Sequence, residues 1–216
     1  MMDKQYLLFD LDGTISDSKI GILKAARYSL KALGISFDNI ESLTPFIGPP
    51  IRDSYKDLFG LSDEEAELAV ASYREYYSET GIYENTLYEG IDTMLKTLRD
   101  NGKTLIIATS KVNVYAKRIL AHFEIDSYFS FVAGSEMDGR RSRKSELIRY
   151  AMENMGIEDV KNAIMIGDRK HDIIGAKEVG MDSIGVLYGF GDLNELTKAG
   201  ATHIADSVHS LSELLC

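Results

Sequence analysis

Leu7-Leu8-Phe9-Asp10-Leu11-Asp12-Gly13-Thr14 is the stretch on which the reading of this chain turns. Tyr6-Leu7-Leu8-Phe9 has the length and apolar character of a buried strand, and it runs straight into an acid. In an extended segment residues two apart share a face, so Asp10 and Asp12 can meet at the end of that strand. Open α/β sheets place their chemistry at such ends. Two carboxylates that close repel unless a cation or a proton intervenes. Taken alone, the segment fits either a cation site or an Asp-rich turn with Gly13 at positive φ. The rest of the chain has to separate the two.

From Tyr88 onward apolar runs alternate with helical spacing. Residues 103–108 read as a buried strand ending in Thr109-Ser110, and 162–166 as another ending in Gly167-Asp168. Further strands are expected at 128–133, 182–187 and 202–204. Helices are expected at 90–100, 112–123, 144–155, 173–180, 192–199 and 207–215. This alternation predicts an α/β fold, a doubly wound and mostly parallel sheet covered by helices on both faces. Residues 16–87 differ, reading as almost purely helical. Ile20, Leu23, Ala26 and Leu30 recur at three- and four-residue spacing, and Ser62-Asp63-Glu64-Glu65 has the form of a capping box. All three prolines fall in Thr44-Pro45-Phe46-Ile47-Gly48-Pro49-Pro50, which reads as a stiff loop. The predicted organisation is a core of residues 1–15 and 88–216, with 16–87 inserted as a helical cap domain.

Composition narrows the function. The net charge of −10 argues against general nucleic-acid binding, which needs a basic surface to displace counterions. An anionic substrate would need a strong local positive site. The single cysteine, Cys216, allows no disulfide framework and no cysteine metal site within one chain. The first residues show no secretory signal pattern, and no apolar run approaches the roughly 20 residues that span a bilayer. A soluble, cytoplasmic protein with no membrane partner is expected.

Three strands thus end in polar groups: Asp10, Thr109-Ser110, and Asp168. In a parallel sheet these ends lie along one edge. Asp172 follows Asp168 by four residues, and Lys144 opens a predicted helix. Such a set suits phosphoryl transfer. The acids can hold Mg²⁺, a hard cation with oxygen ligands, while Lys144 offsets phosphate charge and Ser110 bonds phosphate oxygens. A carboxylate held in line can attack phosphorus and form a covalent intermediate.

Asp10-Leu11-Asp12-Gly13-Thr14, Thr109-Ser110, Lys144, and Gly167-Asp168-Arg169-Lys170-His171-Asp172 together resemble the four-motif set of the haloacid dehalogenase superfamily. Within it the chain is similar to the phosphoglycolate phosphatase-like and bacterial 5′-nucleotidase-like branch. The resemblance implies that Asp10 is the nucleophile and Asp12 the general acid and base. It implies that Asp10, Asp12 through its main-chain carbonyl, and Asp168 bind Mg²⁺, with Asp172 supporting the metal or Lys144. Ser110, Thr109 and Lys144 would hold the phosphate, and Thr14 would fix the first motif at the substrate. The implied activity is Mg²⁺-dependent hydrolysis of a small phosphate ester such as 2-phosphoglycolate or a nucleoside 5′-monophosphate. Asp12 sets the chain apart from haloacid dehalogenases proper, which lack an acid there, and from phosphonoacetaldehyde hydrolases, which carry alanine. A phosphosugar mutase of the β-phosphoglucomutase type shares the same acids and is the alternative. A non-catalytic protein on this fold would have lost a motif, and none is lost.

Plainer readings stand beside these. Lys144 ends a basic run, Arg140-Arg141-Ser142-Arg143, whose arginines read as solvated or as weak guides for an anion. Ser110 alone would be an ordinary helix cap. Gly48-Pro49-Pro50-Ile51-Arg52 offers Arg52 as a substrate-binding residue or a simple surface arginine. Tyr73, Tyr76 and Tyr77 read as helix packing, and His171 as a loop residue. Gly189-Phe190-Gly191 reads as a loop near the sheet edge, because no dinucleotide fingerprint surrounds it.

Overall fold

The computed structural model describes residues 3–216. The chain divides into two compact units. One runs up to Asp17 and resumes at Leu87; the other is Ser18–Thr86.

The first unit is built on six strands: β1 (Tyr6–Phe9), β4 (Thr104–Val112), β5 (Phe129–Ser135), β6 (Ala163–Gly167), β7 (Asp182–Val186) and β8 (His203–Ala205). They lie in the order β5-β4-β1-β6-β7-β8, and every pairing is parallel. Helices α4 (Ile91–Asp100), α5 (Asn113–His122), α6 (Lys144–Met155), α7 (Lys170–Val179), α8 (Leu193–Ala199) and α9 (Val208–Leu215) connect them. Leu7, Leu8 and Phe9 are buried, as expected of a central strand covered on both faces. Leu8 packs with Ile106 and Met165 of the flanking strands and with Leu147 and Ile148 of α6. The chain winds outward from β1 to β5 on one side, then crosses back to β6 on the other. The reversal lies between β1 and β6, where open sheets leave a crevice at the carboxyl ends. Asp10 follows β1 and Asp168 follows β6, so the two acids flank that crevice.

The second unit contains α1 (Lys19–Ala32), a 3₁₀ segment at Ile40–Phe46, α2 (Ile51–Phe59) and α3 (Asp63–Glu79). Leu23, Ala26 and Leu30 lie on the buried side of α1, as their spacing predicts, whereas Ile20 in the first turn is exposed. Ser62 and Glu65 make both bonds of the capping box of α3. Tyr73 and Tyr77 are buried with stacked rings, while Tyr76 donates its hydroxyl to Glu84. Gly21 lets α1 approach closely, since a Cβ there would lie 1.9 Å from the Gly81 carbonyl oxygen. The expected stiff loop is in part a 3₁₀ turn, with Pro45 inside it. The fixed φ of proline suits that geometry, and its missing N–H is tolerated in so short a helix. Two short strands escape the periodic reading: β2 (Ser16–Asp17) and β3 (Thr86–Leu87), which pair with each other. Two residues are too few to show alternation. Among the described residues no helix is long and apolar enough to cross a membrane.

Candidate active site

Asp10 continues β1: its N–H donates to the Ile166 carbonyl at 2.8 Å. The chain then turns tightly around Leu11, whose carbonyl accepts the N–H groups of Thr14, Ile15 and Ser16. Gly13 is required inside the turn. Its φ is +81°, and a Cβ there would lie 2.2 Å from Asp168 Oδ2.

Asp10, Asp168 and Asp172 are all buried, and each offers an oxygen within 4.8 Å of the others. Lys144, the first residue of α6, enters this group. Its Nζ lies 2.7 Å from Asp10 Oδ1, 2.7 Å from Asp172 Oδ1, and 2.9 Å from the Ala108 carbonyl oxygen. The ammonium donates to one carbonyl and forms ion pairs with two carboxylates. The lysine thus ties β1, β4 and α7 together from the end of α6. Gly175 makes the approach of α7 possible, because a Cβ there would be 2.5 Å from Lys144 Cβ.

The oxygens are unequally committed. Asp10 Oδ1 accepts both Lys144 and the Leu11 N–H at 2.7 Å, which leaves Oδ2 clear of hydrogen bonds. Asp172 spends Oδ1 on Lys144 and Oδ2 on the Arg169 N–H at 3.1 Å, closing the first turn of α7. Asp168 Oδ2 accepts the Phe190 N–H at 2.8 Å, and its Oδ1 faces the Thr14 hydroxyl at 3.5 Å.

Electrostatics follow from this crowding. Burial pushes Asp10 above the usual carboxylate range; Lys144 pulls it down, but burial and the nearby Asp172 win. Burial, then Asp172 and Asp10, drive Asp168 well above that range. Burial alone would lower Lys144, yet Asp10 and Asp172 together hold it above its ordinary value. Three carboxylates against one ammonium leave the cluster short of positive charge. A divalent cation with oxygen ligands answers that deficit, and the free Asp10 Oδ2 and the lightly held Asp168 Oδ1 are suitable donors. The residues present therefore fit Mg²⁺.

The other residues singled out in the sequence fall in different places. Asp12 is not in the cluster; its Oδ2 lies 3.0 Å from Lys111 Nζ. Thr14 is fully buried, and its hydroxyl faces Asp168 Oδ1 at 3.5 Å. Ser110 donates its proton to the Ser142 carbonyl at 2.9 Å, anchoring the loop before α6. Thr109 instead accepts the Lys111 N–H at 3.2 Å, which leaves its own O–H for donation. Arg52 lies in the other unit, paired with Asp63 at 3.1 Å and Glu67 at 2.7 Å. His171 is the second residue of α7, with its pKa lowered by burial and by Arg169, Lys170 and Lys144.

The sequence did not reveal the roles of three features. Lys111 carries a half-buried ion pair beside the first motif. Gly189-Phe190-Gly191 is the cradle of Asp168: a Cβ on Gly189 would lie 2.4 Å from Asp168 Cβ, and one on Gly191 2.0 Å from the Asp168 carbonyl oxygen. Tyr188 donates its hydroxyl to the Thr14 carbonyl at 3.1 Å. The repeated glycine was the only available signal, and it could not name its partner.

A sheet with this switch point and this carboxylate–lysine cluster defines a hydrolase of the haloacid dehalogenase type. The family profile described as haloacid dehalogenase-like hydrolase matches residues 7–186, and the chain belongs to that family, as an enzyme of the phosphatase class. It is 41% identical to a 5′-nucleotidase of Pseudomonas aeruginosa over 209 residues, covering 97% of this chain and 94% of that protein. It is 36% identical to the tyrosine-protein kinase PtkA of Mycobacterium tuberculosis over 213 residues, 98% of this chain and 72% of that one. The crystal structure of a predicted phosphatase from Clostridium acetobutylicum superposes with a TM-score of 0.96 at 44% identity, over 99% of both chains.

Proposed function

We propose that this protein is a Mg²⁺-dependent phosphomonoesterase that works through an aspartyl-phosphate on Asp10, with nucleoside 5′-monophosphates as its leading substrate class. The observation that carries the reading is the buried cluster of Asp10, Asp168 and Asp172 around Lys144, in which Asp10 Oδ2 accepts no hydrogen bond. A nucleophilic carboxylate needs one oxygen held and the other free. The similarity to a 5′-nucleotidase over nearly the whole chain supports the substrate class.

Asp10 and Asp168, with the Asp12 main-chain carbonyl, would hold Mg²⁺, and bound Mg²⁺ supplies positive charge against the phosphoryl oxygens. Asp172 keeps Lys144 in place. Lys144 and the Thr109 hydroxyl face the phosphate, and the backbone N–H groups after Asp10 add further donors. Asp10 Oδ2 attacks phosphorus as the ester P–O bond breaks, and Asp12 gives its proton to the departing alkoxide. Water then attacks the aspartyl-phosphate. Asp12 takes back a proton from that water, the bond from phosphorus to Asp10 breaks, and inorganic phosphate leaves. The sum is ester plus water to alcohol plus phosphate.

A phosphate-release survey over nucleoside monophosphates, phosphoglycolate and hexose phosphates tests the reading. Release is expected with Mg²⁺ and should stop in chelator. Asp10→Asn should lower turnover by roughly 10³-fold or more while leaving the fold intact. Wild-type release by that variant, or full activity in chelator, would refute the mechanism. Transfer of phosphate to a sugar without net release would move the protein to the mutase class.

A further inference from the structure

Lys111 has no part in the steps above, yet its side chain is only 7% exposed, and its Nζ sits 3.0 Å from an Asp12 carboxylate that is itself 13% exposed. The other Asp12 oxygen, Oδ1, is buried and accepts no hydrogen bond. Asp12 lies only two residues beyond Asp10, on the turn that follows β1, so a carboxylate released there would stay next to the first acid of the cluster. The cluster nonetheless consists of Asp10, Asp168 and Asp172. Mg²⁺ seeks six oxygen ligands, so a nearby free carboxylate competes with water for it. A carboxylate taken up in that way is lost to proton transfer.

The backbone explains why Lys111 can hold it elsewhere. The register between β4 and β5 slips between Thr109 and Val112. A slip of this kind re-aims the side chains next to it. Two bonds fix the altered segment: Lys111 N–H to Thr109 Oγ1 at 3.2 Å, and Ser135 Oγ to the Ser110 carbonyl at 2.8 Å. The lysine therefore presents its ammonium from a braced strand end.

We infer that Lys111 is a positioning residue that holds the Asp12 carboxylate off the metal position and so reserves it for proton transfer. The inference rests on the roles given to Asp12 and the cation in the preceding subsection. Titration of the metal-free full chain with Mn²⁺, followed by the electron paramagnetic resonance of free Mn²⁺, reads the competition directly. In Lys111→Met, Mn²⁺ affinity should rise about tenfold, the scale on which groups behind metal ligands act. On a nucleoside monophosphate, kcat should fall about 100-fold with KM nearly unchanged. In an Asp12→Asn background the same lysine change should leave Mn²⁺ affinity unaltered, because no carboxylate remains to be released. Unchanged Mn²⁺ affinity in Lys111→Met overturns the inference, and so does a rise in KM alone, which would make Lys111 a substrate contact. If Lys111→Met loses its fold by circular dichroism, the titration of Lys111→Gln decides. A wild-type protein that hydrolyses no ester would refute the proposed function, while the Mn²⁺ titrations would still judge the placement of Asp12.

Discussion

Lys144→Met is the most informative single perturbation of stability. The side chain is 3% exposed, and its ammonium is shared between Asp10 and Asp172 at 2.7 Å each and the Ala108 carbonyl at 2.9 Å. Methionine fills much of the same volume, so the loss is electrostatic. Two buried carboxylates are left facing each other and Asp168 without their common cation. Removing one partner of a buried pair costs about 3–5 kcal/mol, against a total stability on the order of 5–15 kcal/mol. Urea unfolding in chelator at pH 7 should show that loss. It should shrink as pH falls into the carboxylate range, because protonated carboxyls no longer repel. Adding Asp10→Asn should return part of it, since the amide still accepts the Leu11 N–H and one of the stranded charges is gone. A coupling of about 1 kcal/mol or more between the two changes is expected for residues in contact. A loss below about 1 kcal/mol, or effects that simply add, would refute the view of Lys144 as the tie of the cluster.

Two further outcomes complete those already given. Because Asp10 and Asp168 have raised folded pKa values, the metal-free protein binds more protons at these sites than the unfolded chain does above the ordinary value of 3.8. Their contribution to stability is full below that value and is lost as pH rises through the folded pKa values, so thermal scans in chelator should show it declining there. Mg²⁺ at about 100 times its dissociation constant should add about 2.7 kcal/mol near pH 7, a shift of roughly 5–10 °C, and flat scans would contradict the cluster electrostatics. Gly189→Ala places a Cβ 2.3 Å from the Gly13 carbonyl oxygen and 2.4 Å from Asp168 Cβ. Calorimetric Mg²⁺ affinity should fall by about tenfold or more, and an unaltered affinity would show that the 189–191 segment is not the brace of Asp168.

Much of this protein was legible in its sequence because the signals are local. The burial of Leu7, Leu8 and Phe9, the helical spacing of Leu23, Ala26 and Leu30, and the Ser62–Glu65 cap each depend on neighbours a few residues away. The acids at strand ends were legible too, since a parallel sheet gathers such ends at one edge. What the sequence could not assign was the division of labour among them. Whether Thr109 or Ser110 keeps its proton depends on the Ser142 carbonyl, 32 residues further on. Thr14 turns its hydroxyl toward Asp168, 154 residues away. Arg52 finds Asp63 and Glu67 across a helix pair. Asp10 and Asp12, alike in the chain, part company because Lys144 and Lys111 reach them from different elements. Periodicity and strand ends by themselves determined the sheet, its helices and the pool of acids. Hydrogen bonds and ion pairs between distant residues form only once the chain is packed, and they alone decided which oxygen is held, which is free and which carboxylate is kept apart.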